Sequence, residues 1–263
     1  MGRVIQKIHM KSTSQKKLNV SLVIPAFNEE YYIGECLEHV LCNRYFSEII
    51  VIDNASTDST REIVEKIAQR HADANLRVVH ESKKGLVMAR QRGFLEAIKN
   101  PHCDIIAYVD ADTRMPEKWL DAVMREFEKD PNLACLSGPY IYHDIPRWQQ
   151  HLIKILYWHA LAMPIYWLVG YMATGANFAL RKSVLEKMNG FDTSIAFYGE
   201  DTNIARRAAQ HGKVKFKPSH PMYTSGRRLK NQGITKTGLI YMANYLSEVL
   251  FKKPATKGYE DYR

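Results

Sequence analysis

The residues best equipped for chemistry are acidic and lie in two short groups. Asp110-Ala111-Asp112 follows the apolar run Asp104–Val109, and Gly199-Glu200-Asp201 opens a segment with helical periodicity through Ile204 and Ala208. Two carboxylates spaced i, i+2 at a strand end can share a hard divalent cation, and such a cation can neutralise a substrate diphosphate. The same pair also serves in surface turns, so on its own it leaves both readings open. A carboxylate of Glu200-Asp201 facing a nucleotide site could take a proton from an attacking hydroxyl, more readily where burial raises its pKa. Acidic residues in a first helical turn are also favoured by the helix dipole, which would explain them without any reaction.

Other groups are less specific. The loop Ala173-Thr174-Gly175-Ala176-Asn177 is built from small residues that would let backbone approach a ligand, or simply make a tight turn. Lys83, Lys84, Arg90, Arg92, Arg227 and Arg228 supply cations, and arginine forks suit phosphate oxygens. For Lys83 and Lys84 a solvated surface is the competing reading. His220 could complete a metal shell, although a lone histidine is more often structural. GxxxxGK[ST], GxGxxG, HExxH and CxxC are all absent, which disfavours P-loop nucleotidases, ordinary dinucleotide dehydrogenases and zinc sites.

These residues need elements to position them. The chain has 263 residues and is 46% hydrophobic, enough for one large domain or two small ones. Val20–Ile24, ended by Pro25, then Ile49–Ile52, Leu76–Val79 and Asp104–Val109 read as strands. Between them lie helical patterns: Ile33, Leu37, Val40 and Leu41; a capping-box spacing Ser59/Glu62 leading Ile63, Val64, Ile67 and Ala68; and Gly85–Asn100, stopped by Pro101. This alternation predicts βαβ units and a parallel sheet, whose ligands bind outside the carboxyl ends of the strands. Asn28, Asp53, Lys84 and Asp110 all fall at that edge. Beyond Pro116 a helix with Trp119, Leu120, Val123, Met124 and Phe127 and a strand Leu133–Ser137 begin a second half.

Charge and hydropathy add a possible setting. Net charge is +9, and it is concentrated: residues 1–27 carry Arg3, Lys7, Lys11, Lys16 and Lys17 with no acid, and residues 202–247 carry nine cations with no acid. An anionic partner is expected, whether phosphate groups, a lipid surface or nucleic acid. Residues 155–180 lack charge entirely, but His159, Pro164, Gly170, Gly175 and Asn177 argue against a membrane span. Arg147–Met163 therefore reads as an aromatic helix in the core or at a membrane interface. Leu239–Phe251, flanked by Arg227, Arg228, Lys230, Lys236, Lys252 and Lys253, suits an anionic membrane surface, a docked terminal helix or self-association. Four cysteines far apart and no secretory-type stretch before them lead us to expect a reduced, cytoplasmic chain, peripheral on the inner face of the membrane if it meets one.

Taken together, Ile24-Pro25-Ala26-Phe27-Asn28-Glu29-Glu30, Asp53-Asn54-Ala55-Ser56-Thr57-Asp58, Lys84-Gly85 with Ala89-Arg90, Asp110-Ala111-Asp112, Thr174-Gly175-Ala176-Asn177, Gly190-Phe191-Asp192 and Gly199-Glu200-Asp201 resemble the inverting family 2 glycosyltransferases over residues 19–215. The resemblance implies an α/β GT-A fold: a Rossmann-like, mostly parallel sheet with helices on both faces and a C-terminal helical segment on the acceptor side. It divides the chain into a basic segment 1–18, a nucleotide-sugar half 19–115, an acceptor and catalytic half 116–225, and a basic loop with an amphipathic helix, 226–263. It implies that Pro25, Ala26, Phe27, Asn28 and Glu29 line the nucleoside pocket and that Asp53 binds the base. Lys84, Gly85, Arg90, Asp110 and Ala111 would complete the donor site, and Asp110 and Asp112 would hold Mn²⁺ or Mg²⁺ on the diphosphate. Asp201, with Glu200, would supply the base, and Thr174, Gly175, Ala176 and Asn177 would face the acceptor. Arg227 and Arg228 join the donor site on charge alone.

The resulting expectation is transfer from a nucleotide-sugar, a UDP-sugar first, to a saccharide or lipid-linked saccharide, with no nucleic-acid partner. A polyprenyl-phosphate glycosyl synthase is the near alternative. A nucleotidyltransferase would show a glycine-rich basic motif after the first strand, where Pro25-Ala26-Phe27-Asn28-Glu29 is acidic. A non-catalytic binder of anionic surfaces or nucleic acid would leave Asp53, Asp110, Asp112, Glu200 and Asp201 without a task.

Overall fold

The computed structural model describes residues 17–43 and 45–256, so Arg3, Lys7, Lys11 and Lys16 lie outside the described residues. Strands β1 (Val20–Ala26), β2 (Glu48–Asp53), β3 (Leu76–His80) and β4 (Ile105–Tyr108) alternate with helices α1 (Ile33–Cys42), α2 (Thr60–Arg70) and α3 (Leu86–Ala97). After them come β5 (Thr113–Arg114), α4 (Trp119–Lys129), β6 (Leu133–Ser137), β7 (Tyr140–Tyr142) and a long helix α5 (Arg147–Val169). The chain continues through β8 (Phe178–Arg181), α6 (Lys182–Lys187), α7 (Glu200–Ala208), β9 (Lys213–Phe216), β10 (Met222–Thr224), α8 (Arg227–Gln232) and α9 (Ile234–Phe251).

Seven strands form the main sheet in the order β3-β2-β1-β4-β8-β6-β9. Only β8 runs antiparallel to its neighbours. Successive residues of β1 alternate between the two faces, as the pleat requires, and both faces are buried. Leu22 and Ile24 pack with Leu37 and Val40 of α1 and Trp119, Val123 and Phe127 of α4. Val23 packs on the other face with Val87, Phe94 and Ala97 of α3, beside Ile204 and Ala208 of α7. The strands β6, β8 and β9, all beyond residue 115, complete the same sheet.

Two local expectations are corrected. Pro25 does not end β1: Pro25 and Ala26 still pair in register with Ile52 and Asp53 of β2. The β4 side of β1 has no register partner beyond Val23, so the missing N–H of Pro25 breaks no pairing there. The Ser59/Glu62 capping box does not form. Asp58 takes its place, its Oδ1 accepting from the Thr60 backbone N–H at 3.0 Å and the Thr60 hydroxyl at 2.6 Å.

A second, small sheet β5-β10-β7 sits beyond the carboxyl end of β4 and brings Thr224 opposite Thr113. On the cleft's far side stand α5 and α9. Among the described residues α5 is the one helix long and apolar enough to cross a membrane, judged by length and composition. Its middle, Ile153–Ala162, is a π-helix, with the Met163 N–H donating to the Trp158 carbonyl. Trp158, Ala162 and Met163 are buried with Phe216, Met242 and Tyr245, whereas Trp148, Leu152, Ile155, Leu156, Trp167 and Leu168 are exposed. Of the two readings left open for this helix, core packing holds for one face only, and the other face is exposed.

Candidate active site

The carboxyl ends of β1 and β2 and the turn after β3 are stitched together by side chains. Asn54 donates from Nδ2 to the carbonyls of Glu81 (3.1 Å) and Lys83 (2.7 Å), and its Oδ1 accepts from the Gly85 N–H at 2.8 Å. Gly85 has φ +142°, a conformation that other residues rarely adopt, so the turn into α3 depends on it. A cavity here is lined by Pro25, Ala26, Phe27, Asn54, Lys84 and Gly85, and Lys84 Nζ lies 4.8 Å from the centre of the Phe27 ring. Asn28 and Asp53 stand behind this lining. Asn28 Oδ1 accepts from the Thr57 N–H (2.8 Å), and the buried Asp53 accepts from the Ser56 N–H (3.0 Å) and pairs with His80 (3.3 Å). These bonds hold the loops that form the pocket. Asn54 was overlooked, although its place beside Asp53 was the signal.

The two acidic groups found in the sequence meet on one buried cation. Arg90 of α3 is fully buried; Nη1 donates to Glu200 Oε1, and Nη2 donates to Asp110 Oδ1 at 3.0 Å and to the Gly175 carbonyl at 2.6 Å. A Cβ on Gly175 would lie 3.0 Å from Arg90 Nη2 and 3.1 Å from Glu200 Oε1, so the glycine is needed for this approach. The expected contact of Arg90 with donor is corrected: its fork is occupied by protein acceptors, and it positions Asp110 and Glu200. Burial pushes the Glu200 carboxyl up against the pull of Arg90, and Glu200 Oε2 is buried with no hydrogen-bond partner. Asp201 faces the same cleft, its Oδ1 accepting from the Thr202 N–H at 2.7 Å. Burial raises its pKa above the ordinary aspartate value.

Beside them lies a third carboxylate pair. Arg227 of α8 donates from Nη1 and Nη2 to the two Glu29 oxygens at 2.8 and 2.6 Å, and Nη2 lies 3.1 Å from Asp112 Oδ2. Thr224 donates to Asp112 Oδ1 at 3.1 Å, and burial pushes the Asp112 carboxyl up to about 7. Ser225 and Lys230 hold this loop on Asp144 at 2.8 and 3.0 Å. Among the described residues no three His, Cys, Asp or Glu side chains converge as an all-protein metal cage. Asp110 and Asp112 nevertheless fit a cation shared with substrate phosphates, which needs only one or two carboxylates. The guanidinium already drawn between Glu29 and Asp112 shows that the position attracts positive charge. His220 takes the structural reading: it is buried, stacked on Trp119 at 5.2 Å between ring centres, and belongs to no cluster of ligating side chains among the described residues.

A cleft of about 210 Å³ joins these groups. It shares Pro25, Leu86 and Phe197 with the nucleoside-side cavity, so the two are neighbours. Thr174, Gly175, Ala176, Ala111 and Arg228 line it. Arg228 lies over the Phe197 ring at 4.8 Å and donates to the Tyr198 hydroxyl at 2.9 Å. Asn177 is corrected from an acceptor contact to a buried pin: its Oδ1 accepts from Trp119 Nε1 (2.9 Å) and its Nδ2 donates to the His220 carbonyl (2.8 Å). The opposite wall is aromatic, with Tyr140, Tyr142, Tyr157, Trp158, Tyr241 and Tyr245. None of these six was singled out as a site residue, since their spacing is that of ordinary packing and only the fold assembles them.

The family model described as glycosyl transferase family 2 matches residues 21–188. The chain belongs to that family. Among curated relatives of this family 2 glycosyltransferase, the dolichyl N-acetyl-alpha-D-glucosaminyl phosphate 3-beta-D-2,3-diacetamido-2,3-dideoxy-beta-D-glucuronosyltransferase of Methanococcus voltae is 30% identical over 45% of this chain and 38% of its own length. The probable glycosyltransferase YdaM of Bacillus subtilis (strain 168) is 26% identical over 76% of this chain and 49% of its own. The chain thus spans less than half the length of these relatives. Among solved structures, the mannosyltransferase PcManGT of Pyrobaculum calidifontis, in complex with GDP-Man and Mn²⁺, has a TM-score of 0.66 at 22% identity, over 89% of this chain and 63% of that one. Glucosyl-3-phosphoglycerate synthase of Mycobacterium tuberculosis, in complex with Mn²⁺, UDP and phosphoglyceric acid, has a TM-score of 0.57 at 18% identity, over 89% and 79%. The α/β GT-A architecture stands on these likenesses.

Proposed function

We propose that the enzyme transfers a sugar, with inversion, from a nucleoside diphosphate donor, UDP-linked first, to a hydroxyl of a saccharide or lipid-linked saccharide. The observation that carries this reading is the Arg90 bridge, which holds Asp110 and Glu200, the neighbours of Asp112 and Asp201, on one buried guanidinium beside the cleft that all four line.

The nucleoside lies against Pro25, Ala26, Phe27 and the Lys84-Gly85 turn. Asp110 and Asp112 are the residues that would hold Mn²⁺ or Mg²⁺, which supplies positive charge where the departing diphosphate develops its negative charge. Lys84, Arg227 and Arg228 add cations of the chain's own along the same path. Asp201, with its pKa raised by burial, takes the proton of the acceptor hydroxyl, and the oxygen attacks the anomeric carbon opposite the leaving group. One displacement needs no covalent sugar intermediate. Glu200 is held in place by Arg90 and presents its unpaired oxygen to sugar hydroxyls.

The Mn²⁺ in both structural neighbours, and the nucleotides named in their complexes, support the donor half of this reading. The dolichyl-linked sugar in the name of the Methanococcus voltae relative supports a lipid-linked acceptor. The test is binding and hydrolysis of UDP-, GDP- and dTDP-sugars with and without Mn²⁺, by the wild type and Asp112→Asn. Metal-dependent preference for one nucleotide, lost in the variant, is expected. Equal, metal-independent binding of all three, unaffected by the substitution, would overturn the assignment.

A further inference from the structure

The helices α5 and α9 each turn one face to the cleft and the other to solvent. Tyr157, Trp158 and Ala162 of α5, with Tyr241, Asn244 and Tyr245 of α9, line the cleft. The outward side of α5 carries Trp148, Leu152, Ile155, Leu156, Trp167 and Leu168; Trp167 is 72% exposed and Leu168 86%. On α9 the exposed residues Leu239, Ala243, Leu246 and Leu250 recur at helical spacing and form a stripe, continued by the exposed Phe251. Two helices that are apolar on the solvent side are not the usual surface of a soluble monomer.

Among the described residues, the exposed charges of these two helices and their ends have one sign. No Asp or Glu occurs between Ile145 and Leu185, and the single acid of α9, Glu248, is buried against Asn203 and Arg206. Arg147, Lys154, Lys236, Lys252 and Lys253 are all exposed. Tryptophan and leucine with lysine at the margins, and no acid, is the composition of a surface that rests in the headgroup region of an anionic bilayer. A second copy of the same face would oppose lysine to lysine. A helix crossing the bilayer would have to give up the packing of Trp158, Ala162 and Met163 against Phe216, Met242 and Tyr245.

We infer that the outward faces of α5 and α9 dock this enzyme on an anionic lipid bilayer, with the cleft opening beside that surface. The inference deepens the transferase reading, because an acceptor carried on a lipid would then reach Asp201 from the membrane side.

The experiment uses the full chain and vesicles of phosphatidylcholine with or without phosphatidylglycerol. The wild type is expected to sediment with the phosphatidylglycerol vesicles and to be released by salt. Trp167→Glu with Leu168→Glu should weaken the partition by about tenfold or more, from the loss of two interfacial apolar side chains. Lys252→Glu with Lys253→Glu should weaken it on phosphatidylglycerol vesicles by about fivefold or more per charge. None of these four residues lines the cleft, so nucleotide-sugar hydrolysis should be unchanged in both variants, which also shows that they fold. Failure of the folded wild type to bind either vesicle would overturn the inference. So would a dimer dissolved by the Trp167/Leu168 variant without vesicle binding, or membrane association that resists salt and alkali. Vesicle binding without any nucleotide-sugar hydrolysis would uphold docking and tell instead against the transferase reading.

Discussion

The strand-end edge and the helical wall face each other across one cleft, yet they hold their functional residues by opposite means. At the strand ends five acids are tied to basic side chains: Asp110 and Glu200 to Arg90, Asp112 and Glu29 to Arg227, Asp53 to His80. On the wall, Tyr157, Trp158, Tyr241 and Tyr245 are placed by apolar packing of two helices. The first arrangement fixes charges to the precision that charge stabilisation in a transition state demands. The second supplies a surface that can vary with the acceptor without disturbing the reaction.

Breaking the edge should therefore cost far more than altering the wall. Arg90→Met leaves Glu200 buried beside an apolar side chain, and a loss of about 3–5 kcal/mol is expected, measured by denaturant unfolding. Transfer should fall with it, since Asp110 and Glu200 both lose their partner. Gly175→Ala presses a methyl group on Arg90 and Glu200 and should cost about 1–3 kcal/mol, with most of the activity lost. On the wall, Tyr241→Phe should leave stability and donor binding nearly unchanged; a loss as large as that of Gly175→Ala would erase the distinction. Arg227→Ala sharpens the comparison on the edge itself: nucleotide affinity should fall by about tenfold, and the unfolding transition should shift down as well because the buried Glu29 and Asp112 lose their partner. Unchanged affinity would remove Arg227 from the donor site.

The smallest effect concerns pH. Asp112 is pushed up to about 7 by burial, so the folded protein holds its proton more tightly than the unfolded chain does. Stability without metal should then fall as pH rises from about 4, the ordinary carboxylate range, through about 7, and Asp112→Asn should flatten that part of the curve. For Asp201 the raised pKa places the ascending limb of the transfer rate above the ordinary carboxylate range.

What could be read from the sequence follows the same division. The βαβ order, the edge at which Asp53, Lys84 and Asp110 emerge and both acidic groups were legible, because strand ends and first helical turns impose local residue types. Asn54, with its turn-closing hydrogen bonds, was legible in principle from its place beside Asp53. The coupling of Arg90 to Glu200 was not, since it spans 110 positions and depends on the packing of α3 against the loop before β8. Pro25 misled because a proline at one residue does not reveal which side of the strand lacks a partner. The aromatic wall stayed hidden because tyrosines at helical spacing look alike whether they face a core or a cleft.

The central claim is that Asp201 takes the acceptor's proton at a donor site built by other residues. Asp201→Asn, assayed for transfer and for nucleotide affinity on the same preparation, tests it most directly. Transfer should fall by roughly 100-fold or more with affinity for the donor retained. Transfer within a few-fold of wild type, or a loss of donor binding equal to the loss of transfer, would contradict the account.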